Sequence, residues 1–123
     1  MAVSNYQELQ VWQKAMDLAV ESYGLIKKLP KEEVYSLSDQ IRRASVSIPS
    51  NIAEGNGRQN PNEFKIFLRY AKGSAAELET QLLLCQRIGY LSSNDIAPAL
   101  ALLTEISKML STLVKSCSSS RIL

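Results

Sequence analysis

Apolar residues recur along the chain at the alternating three- and four-residue spacing that is typical of amphipathic helices. The first such segment has its apolar positions at Leu9, Trp12, Met16, Ala19, Tyr23 and Ile26. This seam covers about three heptads. It ends before Pro30, because the residue that precedes a proline disfavours helical backbone. The pattern predicts a first helix over about residues 8–29.

The second segment places small and polar residues inside an apolar pattern. At 100° per residue, one face carries Leu37, Ile41, Ala44, Ile48 and Ile52. A flank of that face carries Gln40, Ser47, Asn51 and Glu54. Ser36, with Asp39 three residues later, resembles a capping box, and Gly55 and Gly57 can adopt the left-handed conformation that ends helices. A second helix is therefore predicted over residues 36–55, with Pro49 inside it.

The third segment begins with a strong helix-start signal. Asn60 is the predicted N-cap and Pro61 the first helical residue, and the side chain of Glu63 is placed to bond back to the N–H of the N-cap. The predicted helix covers residues 61–88 and is closed by Gly89. Its core face carries Phe64, Phe67, Leu68, Ala71, Ala75, Leu78, Leu82 and Cys85. A flank with Ser74, Glu77 and Gln81 repeats the arrangement of the second helix. The two polar flanks predict a shared network between these helices.

A fourth helix is predicted over residues 93–115, capped by the polar run from Ser92 to Asp95. Its inward positions are Ile96, Leu100, Leu103, Ile106, Leu110 and Leu113. Residues 116–123 lose the periodicity and are expected to fray. Four helices with short loops and no strand pattern predict one all-α domain over residues 1–123, an antiparallel up-down-up-down four-helix bundle. A three-helix core with the first helix as an arm is the alternative, but the first helix has a complete seam of its own.

Two predicted helices have more apolar surface than one core can cover. The third helix carries a second stripe at Ile66, Tyr70, Gly73, Leu84 and Ile88. The second helix carries Val46 and Ala53 on its outer side. Helices that are apolar on two faces are buried on two faces, so we expect a homo-oligomer. The alternative is scattered exposed apolar residues, which are normal on monomers.

Lysine and arginine residues also share one outward face of the third helix. Lys65, Arg69 and Lys72 follow helical spacing and have no carboxylate three or four residues away to pair with. Arg42, Arg43 and Arg58 are expected to extend this strip. The net charge is only +2, so a nucleic-acid function must rest on such a local patch. The six residues predict phosphate contacts to RNA or DNA without base readout, and a solvated helix face is the alternative.

The composition argues against common catalytic chemistry. The chain has no histidine, which removes the usual general base and the commonest metal ligand. Glu54, Glu77 and Glu79 lack the Glu-x-x-His pattern of diiron bundles, so we expect no metal, no cofactor and no enzyme activity. Cys85 and Cys117 are far apart in sequence and are expected to be reduced thiols. With neither a secretion signal nor ~18 successive apolar residues, a cytoplasmic protein without a membrane partner is expected.

Several strings in the chain closely resemble one protein family. They are Leu9-Gln10-Val11-Trp12, Gln40-Ile41-Arg42-Arg43-Ala44, Ser47-Ile48-Pro49-Ser50-Asn51-Ile52-Ala53-Glu54-Gly55, Ala71-Lys72-Gly73-Ser74-Ala75-Ala76-Glu77-Leu78-Glu79-Thr80 and Ile88-Gly89-Tyr90. They resemble the four-helix-bundle proteins encoded by intervening sequences in bacterial large-subunit ribosomal RNA genes. The chain is also similar to the accessory variability proteins of diversity-generating retroelements.

This resemblance implies an antiparallel bundle that assembles into a homopentameric ring, with RNA, DNA or a reverse transcriptase as partners and no catalytic residues. The motif residues of the family are Ser47, Asn51, Glu54, Gly73, Ser74 and Glu77. We interpret them as helix-packing or subunit-contact positions, and we assign the same role to Ile66 and Tyr70. The second functional hypothesis is an oligomeric protein–protein interaction scaffold with no nucleic-acid role.

Overall fold

Four α-helices account for most of the chain in the computed structural model, which describes the backbone of residues 5–120 and the side chains of residues 5–118. The helices are α1 (Gln10–Ile26), α2 (Leu37–Gly57), α3 (Pro61–Ile88) and α4 (Ser93–Ser120). Short 3-10 helices precede α1 and α2, at Tyr6–Glu8 and Lys31–Glu33. No strand occurs between residues 5 and 120, which confirms the predicted all-α class with four helices.

The four helices pack around one aliphatic core. α2 contacts α1 and α3, and α4 contacts α3 and α1, so that each helix lies between two neighbours. Each helix contributes fully buried side chains, among them Leu18, Ile48, Leu78 and Ile106, all 0% exposed. Burial of one such side chain is worth about 1.5–3 kcal/mol, so the core is the main source of stability.

The core face of α1 differs from the seam seen in the sequence. The buried residues of α1 are Val11, Ala15, Leu18, Ser22 and Leu25. The seam residues Met16 and Tyr23 are exposed, whereas Trp12 and Ile26 are only partly buried. Two apolar stripes therefore coexist on α1, and its buried stripe is inconspicuous in the sequence because Ala15 and Ser22 are small or polar.

The signals at the ends of α3 and α4 are largely confirmed. The side chain of Asn60 accepts hydrogen bonds from the backbone N–H groups of Asn62 and Glu63, at 2.9 and 3.1 Å. Ser92 Oγ accepts from the Asp95 N–H at 3.0 Å, and the Asp95 carboxylate accepts from the Ser92 N–H at 2.9 Å, a reciprocal capping box. Gly89 ends α3 with a φ of 99°, a left-handed conformation that suits glycine.

The start of α2 corrects the predicted capping box. The Ser36 side chain does not cap the helix; its Oγ donates to the Glu33 carboxylate at 2.7 Å. The same carboxylate accepts from the Leu37 N–H at 3.4 Å and from the Tyr90 hydroxyl at 2.8 Å. The hydrogen bond from Ser36 and that from Tyr90 lower the pKa of Glu33, and this carboxylate raises the pKa of Tyr90. Asp39 pairs instead with arginines of α2.

The ends of the helices also differ from the prediction. α1 is shorter than residues 8–29, because Leu9 has extended backbone (φ −74°, ψ 126°) and serves as the N-cap. α2 continues through Gly57, and the left-handed residue after it is Gln59, with a φ of 54°. Gly55 is helical, and its role is close packing: a Cβ there would lie 2.6 Å from Phe67 Cβ.

The frayed tail predicted for residues 116–123 is wrong for residues 116–120, which continue α4. Cys117 is 0% exposed, and Ser118 Oγ donates to the Val114 carbonyl at 3.3 Å. The last predicted tail residues, 121–123, lie outside the described part of the chain.

One helical segment, Ser93–Ser118, has the length and mean hydropathy, 1.3, of a membrane-crossing helix. This signal is weak, because the core helix of a bundle passes the same test. Ile96, Leu103 and Leu110 of this segment are buried against the other helices.

We expect stability to fall in acid as the Lys28–Asp95 ion pair is lost. The Lys28 ammonium, 2.8 Å from the carboxylate, lowers the pKa of Asp95 from 3.8 to about 2. A carboxyl with a lowered folded-state pKa stabilises the fold above its unfolded pKa, and this contribution disappears as pH falls from about 4 to 2. Melting temperatures measured across this range should fall less steeply for Asp95→Asn, which keeps a capping oxygen. Parallel curves for the two proteins would contradict the assignment.

Candidate nucleic-acid interface

A polar contact joins α2 and α3 at mid-height. Ser74 Oγ donates to Ser47 Oγ at 2.9 Å, and Asn51 Nδ2 donates to the Ser47 hydroxyl at 2.9 Å and to the Ser47 carbonyl at 2.8 Å. The short side chains let the two helices approach closely while their polar groups stay satisfied. The predicted network is therefore present for these three residues.

The other flank residues do not join that contact. Glu54 accepts from Arg58 at 3.0 Å, four residues further along α2. Glu77 is exposed on the outside of α3. Gln81 is only 6% exposed, and its amide oxygen has no hydrogen-bond partner among residues 5–118. Ser47 and Ser74 thus join the two helices and Asn51 supports Ser47 from within α2, whereas Glu54 and Glu77 face outward.

The three arginines of the predicted basic strip that precede α3 are paired with carboxylates. Asp39 accepts from both Arg42 and Arg43, each at 3.1 Å. Arg58 lies 3.0 Å from Glu54 and 3.5 Å from Glu63. Its guanidinium also stands 5.0 Å from the centre of the Phe67 ring. These pairs are worth little to stability, but they neutralise much of the positive potential that a phosphate would need.

The basic residues of α3 have fewer partners. Lys65 is half-buried and its Nζ donates to Ser118 Oγ on α4 at 3.2 Å. Arg69 and Lys72 are exposed, and neither forms an ion pair with a described residue. One helical turn separates them, so their charges project from the same side of α3 as Lys65.

The six predicted phosphate contacts therefore fall into two groups: those paired with carboxylates, which are Arg42, Arg43 and Arg58, and those without an ion pair to a described residue, which are Lys65, Arg69 and Lys72. Arg58 lies on the side of α3 that packs against α2, as its contacts with Glu63 and Phe67 show. Lys65 lies on the side that packs against α4. Like Lys65, Arg69 and Lys72 form no ion pair with a described residue, and because these two are also exposed they form the centre of any phosphate-binding surface of one chain. Sequence spacing identified them, and the same spacing places Asp39 three and four residues before Arg42 and Arg43 and Glu54 four residues before Arg58, so these pairs can also be read from the sequence.

The second apolar stripe of α3 is exposed in the single chain. Ile66, Tyr70, Leu84 and Ile88 are 46%, 56%, 46% and 50% exposed, and Gly73 lies among them. On α2, Val46 is exposed and Ala53 half-buried. A further exposed group on α1, consisting of Met16, Val20 and Tyr23, was not identified as surface from the sequence. Met16 and Tyr23 belong to the heptad-like seam of the first helix, so part of that seam lies on the surface of the bundle.

The described side chains show few groups suited to catalysis or metal binding. No cluster of three or more histidine, cysteine, aspartate or glutamate side chains able to hold a metal ion occurs among residues 5–118. Cys85 and Cys117 are free, buried thiols. Burial raises the pKa of both, which keeps them protonated and unreactive near neutral pH.

Comparison with known proteins agrees with the fold. The chain is similar to a crystal structure of a protein of unknown function from the S23 ribosomal protein family of Bacteroides thetaiotaomicron VPI-5482, with 31% sequence identity and a TM-score of 0.79. The match covers 85% of this chain and 98% of that one. No curated protein matches the chain. The sequence model of the family described as 23S rRNA-intervening sequence protein matches residues 7–112. The chain therefore belongs to the 23S rRNA-intervening sequence protein family.

Proposed function

We propose that this chain is a non-enzymatic, oligomeric accessory protein that binds RNA or DNA through the basic side of α3 without reading base sequence. In this proposal the subunit is an antiparallel up-down-up-down bundle, the assembly is a homopentameric ring, and the protein acts in the cytoplasm. The observation that carries the proposal is the pair of exposed cations Arg69 and Lys72, which have no ion-pair partner among the described residues.

The affinity for nucleic acid depends on how many of these cations one assembly presents. Each phosphate that a protein neutralises releases a counterion, and the logarithm of the affinity changes by about 0.7–0.9 units per contact for each tenfold change in salt. Two contacts per subunit give weak binding, whereas an oligomer multiplies them over one nucleic acid. The exposed apolar stripe of α3 supports an oligomer, because so many large apolar side chains on one helix face mark an interaction surface.

Cross-helix contacts support the antiparallel arrangement. Lys28, just after α1, bonds to Asp95 in the first turn of α4. Lys65, in the first part of α3, bonds to Ser118 near the end of α4. Both contacts join the beginning of one helix to the end of another. The structural relative's membership of a ribosomal protein family agrees with an RNA ligand, although that protein is itself described as being of unknown function.

The experiment is a salt series of binding to a structured, fluorescently labelled RNA. The double variant Arg69→Glu and Lys72→Glu should lose affinity at low salt and show a salt slope at least about 1.4–1.8 units smaller, the value for two lost phosphate contacts. Its matched control is Lys27→Glu with Lys31→Glu, which changes the net charge equally at two exposed positions near the end of α1. Equal loss in the two variants would show that only overall charge matters and would contradict the proposal.

A protein–protein scaffold is the second candidate, and the same exposed apolar stripe favours it. It predicts a stable oligomer with no salt-dependent affinity for structured RNA or for duplex DNA. Light scattering of the same samples at several concentrations separates this result from a failure of assembly.

A further inference from the structure

We infer that the nucleic-acid surface continues from α3 onto α4, where Lys108 and Lys115 supply further phosphate contacts, and that the partner is a double-stranded nucleic acid. The inference rests on the proposed function, in which Arg69 and Lys72 bind phosphates, and it adds two binding residues and the class of nucleic acid. Neither lysine of α4 is among the six predicted phosphate contacts. Together with Lys65, Arg69 and Lys72 they define the α3–α4 basic surface.

The position of α4 beside the basic residues of α3 follows from one contact. Lys65 Nζ donates to Ser118 Oγ at 3.2 Å, which places the first part of α3 beside the last part of α4. In the antiparallel bundle of the proposed function, residue numbers rise along α3 as they fall along α4, and both helices advance by about 1.5 Å per residue. Residues 64–76 of α3 therefore lie beside about residues 107–119 of α4.

Each of these two stretches carries cations and no carboxylate. Residues 64–76 contain three basic residues and no aspartate or glutamate. Residues 106–120 contain Lys108 and Lys115 and likewise no acidic residue. The packing of α3 against α4 thus brings two acid-free basic stretches together. Five cations share a surface that is about 20 Å long, the length of 13 helical residues.

The acidic residues that precede the two stretches are engaged on other sides of the bundle. Glu63 lies 3.5 Å from Arg58, on the side of α3 that packs against α2. Glu105 lies 3.6 Å from Lys14 of α1. None of the five cations of the α3–α4 basic surface forms an ion pair with a described residue. Its charge is therefore not neutralised by ion pairs within the described chain, and a polyanion is the complementary partner.

The two lysines of α4 lie on the outer side of that helix. Lys115 is three residues before Ser118, so the two side chains are neighbours on the surface of α4. Lys108 precedes Lys115 by two turns and projects in nearly the same direction, at an edge of α4 where it also borders the groove beside α1. Both lysines are exposed. Lys65 is anchored by Ser118, but an ammonium has three donor hydrogens, so Lys65 can also bind a phosphate.

The arrangement of the cations in two rows, one on each helix, favours a duplex over a single strand. The axes of packed helices are about 8–10 Å apart. This separation is comparable to the groove widths of about 6–12 Å across which a double helix presents its two backbones. One row can thus contact each backbone, as in proteins that recognise double-stranded RNA by its shape and phosphates. A single strand presents one line of phosphates and would engage one row at a time.

The test is a salt series of binding to a labelled RNA hairpin and to an unpaired RNA strand of the same length. Lys108→Gln with Lys115→Gln removes the α4 row without adding repulsion. Its matched control is Lys27→Gln with Lys31→Gln, at exposed positions near the end of α1. For the hairpin, the α4 variant should show lower affinity at low salt and a salt slope at least about 1.8 units smaller, the value for two lost duplex contacts. The control should bind like the parent chain.

The parent chain should also bind the hairpin more tightly than the unpaired strand. If the α4 variant binds the hairpin like the parent chain while Arg69→Glu with Lys72→Glu loses affinity, the inference is wrong and the proposed function stands. Equal affinity of the parent chain for the hairpin and the unpaired strand overturns the assignment of a double-stranded partner. A parent chain that binds neither RNA removes the proposed function and this inference with it.

Discussion

Gly55→Ala should destabilise the protein by about 1–3 kcal/mol, the usual cost of an added methyl group in a packed interior. The new Cβ would lie 2.6 Å from Phe67 Cβ and 3.0 Å from Phe64 Cδ1, so α2 and α3 must move apart. A stability change of 1 kcal/mol moves the melting temperature by about 3–5 °C in a chain of this size. The expected decrease in melting temperature is therefore about 3–15 °C, measured at constant protein concentration because assembly itself stabilises the fold.

The matched control is the same substitution at Gly24. A Cβ there would meet nothing within 4 Å, and the residue lies in α1 with no positive φ. Gly24→Ala should therefore stabilise the protein by about 0.5–1 kcal/mol, because alanine is the better helix former. A gain of stability at both positions would show that α2 and α3 are further apart at Gly55 than described.

Ile48→Ala should cost about 2–5 kcal/mol of unfolding free energy, since Ile48 is 0% exposed and its truncation leaves a cavity. The comparison variant is Ile48→Val, for which about 0.5–1.5 kcal/mol is expected. Urea unfolding of the two variants and the parent chain gives the series. A similar, small loss in both would mean that the surrounding helices collapse around the site, or that residue 48 is not central to the core.

Local signals in the sequence predicted the helices and several of their ends correctly. Asn60, Ser92 and Gly89 act through the backbone within a few residues of themselves, so the sequence alone is sufficient to identify them. The cap of α2 was not predictable in this way, because Ser36 bonds to a glutamate that precedes it and that also serves Tyr90. The core face of α1 was obscured by a second apolar stripe on the same helix.

At the candidate site, too, contacts within one helix can be predicted from the sequence, whereas contacts between helices cannot. The absence of acidic residues near Arg69 and Lys72 on α3 can be read from spacing alone. The partner of Lys65 is 53 residues away, and Glu63, which Arg58 contacts, lies on the next helix. Whether a basic residue is free to bind a phosphate depends on such contacts, which require the packed helices.

The Glu33 carboxylate has a consequence for how the molecule opens. It accepts from Ser36 and Leu37 in the connection between α1 and α2, and from Tyr90 in the connection between α3 and α4. Two loops that are distant in sequence thus share one acceptor. If either loop moves away from the other, the hydrogen bond between Tyr90 and Glu33 breaks. We therefore expect the two loops to open locally as one cooperative unit, so that their amide protons exchange with solvent at similar rates.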